Sequence, residues 1–406
     1  MKTQAILLNQ SFKINEIHSP IVTKRFELKL LKFKVLSGLF WLMLKRTGHL
    51  FKAIKLIGQI KEKYQSVFGE PLITKAAKVD NRYFWRLATP GFPSMAASKM
   101  HENEMNRFLP NKGNFGMRSV LFAITKKCTL KCEHCFEWEN LNKKETLSTS
   151  DIINIVQKYQ DFGTTQMMFS GGEPLQRIND IYKILNSARP GTDFWIITSG
   201  IGLSFEKATK LKAGGLTGIM VSIDHYDGLK HDRFRGLPGI FDMACQAILN
   251  SNKAGLVSAI SVCTTKNMVN EDNLIAFMDM AKNLGVSFVQ FIEPRAVGHY
   301  KGKDVELDDE QINLLEKTYL KYNGSKAFQD YPIINYLGFH QRKVGCFGGG
   351  DRFFYIDTDG DAHICPYCIS KVASTLTNSA RDIVTQLSKN KCHAFSLNNS
   401  VHNRNF

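Results

Sequence analysis

From residue 118 to about 295 the chain repeats one hydrophobic rhythm. Apolar runs of strand length, "RSVLFAIT", "TQMMFSGGE", "DFWIITSG", "GIMVSID", "VSAISVCTT" and "VSFVQFIEP", are each followed by a stretch with helical period, such as "TSDIINIVQKYQDF" or "EDNLIAFMDMAKNLG". The pattern predicts six βα units. Continuous apolar strands alternating with helices imply a parallel sheet covered by helices, either an open doubly wound sheet or a barrel, complete or partial. Upstream, residues 24–63 are apolar and basic together and predict two or three amphipathic helices broken near Gly38 and Gly48. Two uses of these helices stay open: packing on the rest of the chain or on a partner, and docking at a membrane surface. The Pro- and Gly-punctuated stretch at 83–100 predicts an ordered connector.

Composition narrows this picture modestly. A length of 406 residues allows two or three domains, and 43% hydrophobic content is enough for a proper core. The net charge of +16 does not by itself choose between nucleic acid, anionic lipid and solubility. Basic residues interleaved with aliphatics argue against nucleic acid. Nine cysteines without a secretory signal point to a reducing, cytoplasmic setting, with peripheral contact at the inner membrane surface through 24–63 as the further expectation. No run of about eighteen apolar residues predicts a spanning helix.

Chemistry collects where a parallel sheet places it, at the carboxyl ends of the strands. After the first strand, "KKCTLKCEHCF" brings Cys128, Cys132 and Cys135 onto one loop. A structural zinc site wants four ligands, and His134, adjacent in sequence to Cys135, is poorly placed to be the fourth. A cubane 4Fe-4S cluster has four irons, so three cysteines leave one iron open to a small molecule. "SGGEP" ends the second strand, where Gly171 and Gly172 let backbone approach a ligand and Pro174 fixes the exit. Ser222 and Asp224 leave the fourth strand on one face and offer a hydroxyl and a carboxylate to a ribose, while Arg235 offers a planar fork to a carboxylate. Taken singly, such residues are more often turns and helix caps.

In this order along the chain, Cys128, Cys132 and Cys135 in a C-x3-C-x2-C pattern followed by Phe136, then "GGEP" at Gly171 to Pro174, then Ser222 to Asp224, the sequence resembles the radical S-adenosylmethionine enzymes over residues 118–295. The resemblance implies a partial (β/α)6 TIM-like barrel with an N-terminal helical extension and a small C-terminal cysteine-rich domain. It implies a 4Fe-4S cluster on Cys128, Cys132 and Cys135 that binds and reductively cleaves S-adenosylmethionine. Gly171, Gly172, Glu173, Pro174, Ser199, Ser222, Asp224 and Arg235 are then the cofactor-contacting set. Cys346, Cys365, Cys368 and Cys392 resemble the auxiliary-cluster ligands of SPASM and twitch domains, with Gly360 to Cys365 in the Gly-x4-Cys spacing. Four cysteines suit zinc as well as a second 4Fe-4S cluster. Cys245 and Cys263 read as core filling.

The expected division is a basic helical region and connector over 1–110, the barrel over 111–325 and the auxiliary domain over 326–406. Gln290, Glu293 and Arg295, at the sixth strand, are the candidates to line the substrate side. By analogy with auxiliary-cluster members of the family, the first expectation is modification of a peptide or protein side chain, supplied with electrons by a flavodoxin- or ferredoxin-like donor. The apolar basic amino-terminal region raises a second, a lipid or membrane-associated substrate. A non-enzymatic iron-sulfur electron carrier is the third.

Overall fold

A computed structural model of the chain describes residues 19–68, 73–108, 116–368 and 370–390. Two helices open it, α1 (Arg25–Thr47) and α2 (Leu50–Phe68), followed by a hairpin of β1 (Ala77–Val79) and β2 (Arg82–Phe84) and by α3 (Met95–Phe108). The expected break at Gly38 is not there. A glycine inside a helix costs only about 1 kcal/mol, and α1 runs through it, ending at Gly48, whose left-handed conformation caps the helix with a bond to the Leu44 carbonyl. No helix among the described residues is long and apolar enough to cross a membrane.

The barrel follows. Its strands are β3 (Ser119–Ala123), β4 (Gln166–Ser170), β5 (Asp193–Thr198), β6 (Leu216–Ser222), β7 (Val257–Cys263) and β8 (Phe288–Ile292), each paired in parallel with the next. These are the six predicted strands. Between them lie α4 (Thr149–Asp161), α5 (Ile178–Ser187), α6 (Phe205–Ala213), α7 (Gly228–Arg235), α8 (Ile240–Lys253) and α9 (Glu271–Asn283). After α10 (Asp309–Gly324) a further parallel strand, β9 (Ile333–Tyr336), pairs with β8 before α11 (Leu337–Val344). At the other edge β10 (Phe353–Ile356) pairs in parallel with β3 and turns back into β11 (Asp361–His363), which β12 (Ala373–Ser374) flanks. The described chain closes with α12 (Ala380–Lys389). The β10–β11 hairpin, which turns at "DTDGD", is therefore a continuation of the barrel sheet on its β3 edge.

Alternation along the strands sets the two sides of the sheet. Val221, Ile260, Val289 and Ile334 face the helices in the main core with Ala244, Phe277 and Tyr319. Met220, Ala259, Phe288 and Ile333 face the lumen, where Phe84 and Leu87 pack against them and plug the amino-terminal mouth. Asp193 anchors that plug, accepting from Arg82 at 3.1 Å and from the Gly91 amide at 3.1 Å. The opposite end, where the strands finish, is left for chemistry.

Candidate cluster and cofactor site

The three-cysteine loop is held from both sides by neighbouring strand ends. On one side, the Gly172 and Glu173 amides donate to the Thr125 and Lys127 carbonyls at 2.8 and 2.7 Å. A Cβ at Gly171, whose φ is +124°, would stand 2.4 Å from the Thr125 oxygen, and one at Gly172 would stand 2.3 Å from that of Lys127. The glycine pair is thus required by the cysteine loop itself. Glu173 is buried and spends its carboxylate on the Thr198 hydroxyl at 2.6 Å, the Ser199 amide at 2.8 Å and the Leu175 amide at 3.1 Å. It welds the second strand end to the third, while Pro174 begins the short helical turn that leads away.

On the other side stands the end of α7. The Lys131 and Glu133 amides donate to the Arg235 and Phe234 carbonyls at 3.2 and 3.0 Å, and the His134 ring stacks on Phe234. His134 therefore turns into the protein rather than toward the thiols. Arg235 is buried, with Nε 2.6 Å from Asp224 and Nη1 3.6 Å from the Cys132 sulfur. Burial alone would disfavour its charge, but Asp224 and Cys132 hold the guanidinium protonated, and Arg235 in turn keeps the buried Asp224 ionised. Asp224 also accepts from the Cys263 amide at 2.9 Å. Two of the expected cofactor residues thus form one buried ion pair at the edge of the cysteine loop.

Sequence reasoning missed a third support. The loop after β8 brings Gly298 and His299 under the cysteines. The His299 amide donates to the Cys135 carbonyl at 2.9 Å, and its ring Nδ1 lies 2.9 Å from the Cys132 carbonyl. A carbonyl only accepts, so this nitrogen carries the proton. The Trp138 indole stacks on the same ring at 3.9 Å. A Cβ at Gly298 would lie 2.2 Å from the Cys135 oxygen. The sequence carried a faint signal in "GHY" beyond the sixth strand, but nothing in its spacing tied it to the cysteines.

The donor set fits an iron-sulfur cluster. Burial pushes the Cys128 thiol up to about 11 and Cys135 to about 12, and raises Cys132 as well, so thiolates here call for metal cations to compensate them. Among the described residues no three His, Cys, Asp or Glu side chains converge on the position of a single ion. A cubane does not ask for that convergence, because it takes one thiolate per iron.

The auxiliary cysteines come partly together. Cys365 and Cys368 stand 3.4 Å apart, sulfur to sulfur, and contact with Cys368 lowers the Cys365 thiol. The Cys346 sulfur accepts from the Gly348 amide at 3.3 Å. Cys392 lies outside the described residues. Phe136, directly after Cys135, makes edge contacts with Tyr355 at 5.8 Å and with Tyr367 at 6.2 Å, the latter lying between Cys365 and Cys368. Cys245 and Cys263 are buried, in keeping with core filling.

Above the apolar lumen layer runs a polar one. Ser222 pairs in register with Ser261, Ser261 with Gln290, and Gln290 with Asn335. These four therefore project to the same side of the sheet, into the lumen and one step below Asp224 and Cys263. The Ser222 and Ser261 hydroxyls are 3.2 Å apart, while Gln290 and Asn335 remain partly accessible. Glu293 behaves differently. Its carboxylate is engaged by the Tyr336 hydroxyl at 2.6 Å, Arg342 at 2.7 Å and Arg295 at 3.5 Å. Arg295 also reaches Glu306, and Arg342 reaches Glu316. The two arginines and Glu293 form a network rather than a free base.

Known proteins resemble this chain in sequence and in fold. The sequence model of the Radical SAM superfamily matches residues 122–282. An AdoMet-dependent heme synthase of Methanosarcina barkeri is 31% identical over 62% of this chain and 77% of its own length. Another AdoMet-dependent heme synthase, from Nitratidesulfovibrio vulgaris, is 29% identical over 40% of this chain, and the match spans only 43% of that protein. The mycofactocin maturase MftC of Mycolicibacterium smegmatis is 27% identical over 62% of this chain and 64% of its own. Among solved structures, Streptococcus suis SuiB bound to its precursor peptide SuiA superposes with a TM-score of 0.54, 14% identity and coverage of 86% and 81% of the two chains. The anSMEcpe enzyme with bound AdoMet gives 0.56 at 16% identity, covering 69% and 84%. These two likenesses concern the fold.

Proposed function

Because the chain belongs to the radical S-adenosylmethionine superfamily, we propose that it is an enzyme that abstracts a hydrogen atom from a peptide or protein side chain. When bound, a 4Fe-4S cluster and S-adenosylmethionine supply reductive cleavage of the sulfonium and the 5'-deoxyadenosyl radical that takes the hydrogen. The chain's own residues do the rest. Cys128, Cys132 and Cys135 would hold the cluster, with the electron arriving from a flavodoxin- or ferredoxin-like donor. Glu173, the Asp224–Arg235 pair and His299 hold the loop that carries those thiols. Cys346, Cys365, Cys368 and Cys392 would hold an auxiliary cluster.

One observation carries the substrate class: the polar layer of Ser222, Ser261, Gln290 and Asn335 in the lumen. Neutral amides and hydroxyls match the donors and acceptors of a peptide backbone. A tetrapyrrole, the substrate class that the name of the Methanosarcina relative suggests, would ask for cations to meet its carboxylates. The arginines around this end of the sheet are already engaged by carboxylates: Arg235 by Asp224, and Arg295 and Arg342 by Glu293, Glu306 and Glu316. The maturase relative supports the peptide reading from the sequence side.

The test is anaerobic reconstitution with iron and sulfide, reduction by dithionite, and chromatographic detection of 5'-deoxyadenosine from added S-adenosylmethionine. Its formation, abolished in Cys132→Ala, is expected. A Cys132→Ala enzyme that still makes 5'-deoxyadenosine would overturn the assignment. Stimulation of turnover by an iron porphyrin but by no peptide would replace the peptide with a tetrapyrrole.

A further inference from the structure

Helix α1 is apolar on two opposite faces, and among the described residues only one of them is covered. Leu31 and Val35 are buried against Ile73, Ala76 and Trp85, and Met43 against Ala53 and Met105. On the other side Phe26, Leu30, Phe33 and Trp41 recur at helical spacing and form one stripe, 78%, 41%, 68% and 64% exposed. The next helix continues the theme: Leu50, Phe51 and Ile54, in the first turns of α2, are 49%, 84% and 52% exposed. An isolated surface leucine is ordinary, but seven large apolar side chains exposed on two consecutive, mutually packed helices are not.

The charge around the stripe says what covers it. Lys29 and Lys34 border it on α1, and Lys45, Lys52 and Lys55 follow toward and into α2. Residues 24–63 hold eleven basic side chains against two acidic ones, Glu27 and Glu62. Glu27 is already matched, accepting from Tyr83 at 2.8 Å and Lys78 at 3.1 Å. A protein interface of this apolarity is depleted in lysine, whereas at a lipid headgroup layer lysines extend their stems along the apolar face and place their ammonium groups on phosphates. Exposed aromatics seat well in the same layer. We infer that α1 and the start of α2 lie on an anionic lipid bilayer, with Phe26, Phe33, Trp41 and Phe51 in the boundary between headgroups and acyl chains. Neither helix crosses it.

The test needs no cofactor, so its failure and a failure of the proposed activity are distinguishable. The full chain is sedimented with vesicles of phosphatidylcholine alone and with vesicles containing about one-third phosphatidylglycerol. Binding to the anionic vesicles should be at least about ten-fold stronger and should weaken with salt. The combined Phe33→Ser, Trp41→Ser, Phe51→Ser variant, altered only at exposed positions, should bind at least about ten-fold more weakly with an unchanged melting temperature. Trp41 is its own reporter: Trp85 and Trp195 are buried and Trp138 is stacked on His299, so a blue shift of emission on adding vesicles, absent in Trp41→Phe, reads this face. Undiminished binding of the triple variant to anionic vesicles would overturn the assignment, because charge elsewhere on the molecule would then account for it. Vesicle indifference together with a dimer that the triple variant breaks would overturn it too, and assign the face to a second copy of the chain.

Discussion

His299 Nδ1 stands 2.9 Å from the carbonyl oxygen of Cys132, although 167 residues separate them. With the His299 amide on the Cys135 carbonyl, one residue fixes the backbone at two of the three clustered cysteines. This makes His299 a positioning residue: it touches the loop and not the reacting atoms.

His299→Ala should fold normally, because the ring contributes one hydrogen bond and one stack at the loop surface. The reconstituted variant should retain less iron after gel filtration and form 5'-deoxyadenosine about ten-fold more slowly, the usual scale for a lost outer contact around metal ligands. His299→Asn, whose amide can still donate, should recover part of the iron. Equal iron in Ala and wild type would show that the three-point hold of the loop is redundant.

Gly171→Ala places a methyl 2.4 Å from the Thr125 oxygen at a positive φ, so backbone on one side or the other must move. The expected loss of stability is on the order of 2 kcal/mol or more. Because the displaced segment is the start of the cysteine loop, cluster content should fall along with it. Thermal unfolding of the apo chain separates the two effects. A variant with unchanged melting temperature would mean that the loop accommodates the methyl.

Much of this was legible from the chain alone, and for physical reasons. The six strands were readable because parallel strands buried on both faces leave apolar runs long enough to stand out. The cysteine loop and "GGEP" were readable because both sit at strand ends, where a parallel sheet collects its chemistry. Strand β9 escaped because "IINY" is short and is tied to β8 by register rather than by composition. His299 and Asn335 escaped for the same reason: one meets the cysteine loop from the loop after β8 and the other meets Gln290 through strand register, and neither relation shows in local spacing. Arg235 and Glu173 were found, yet the structure gives each a partner within the chain, since a buried ion or carboxylate is stable only when its bonds are met.

Glu104 ties α3 to the barrel and sets an acid limit on stability. Its carboxylate meets Arg118 at 2.9 Å, Arg352 at 3.4 Å and Arg107 at 3.8 Å. Burial alone would raise its pKa, but the three guanidiniums bring it down to about 2 from the ordinary 4.5. A depressed acid contributes stability that is full above the unfolded value and is lost as pH falls from about 4.5 toward 2. Glu104→Gln should cost about 2–3 kcal/mol near neutrality. The gap between variant and wild type in denaturant melts should close across that acid window. A gap that stays constant would mean that packing, not charge, is what Glu104 supplies.

Gln290 and Asn335 offer the sharpest check on the substrate reading, because they neighbour the lumen without touching the cysteine loop. They pair in register on β8 and β9, and each presents an amide that can both donate and accept. If they hold a peptide, removing their polarity should leave the cluster and the cleavage of S-adenosylmethionine intact but misplace the hydrogen to be taken. In the Gln290→Leu, Asn335→Leu double variant, iron content and 5'-deoxyadenosine formation without substrate should match wild type. The ratio of modified peptide to 5'-deoxyadenosine should drop at least about ten-fold, as expected when a reacting bond is displaced by even an ångström. The single variants should each fall between. Leucine conserves most of the side-chain volume, so a collapse of the lumen is not expected, and a melting curve confirms that directly. A double variant that cleaves and modifies with wild-type coupling would remove this layer from substrate binding.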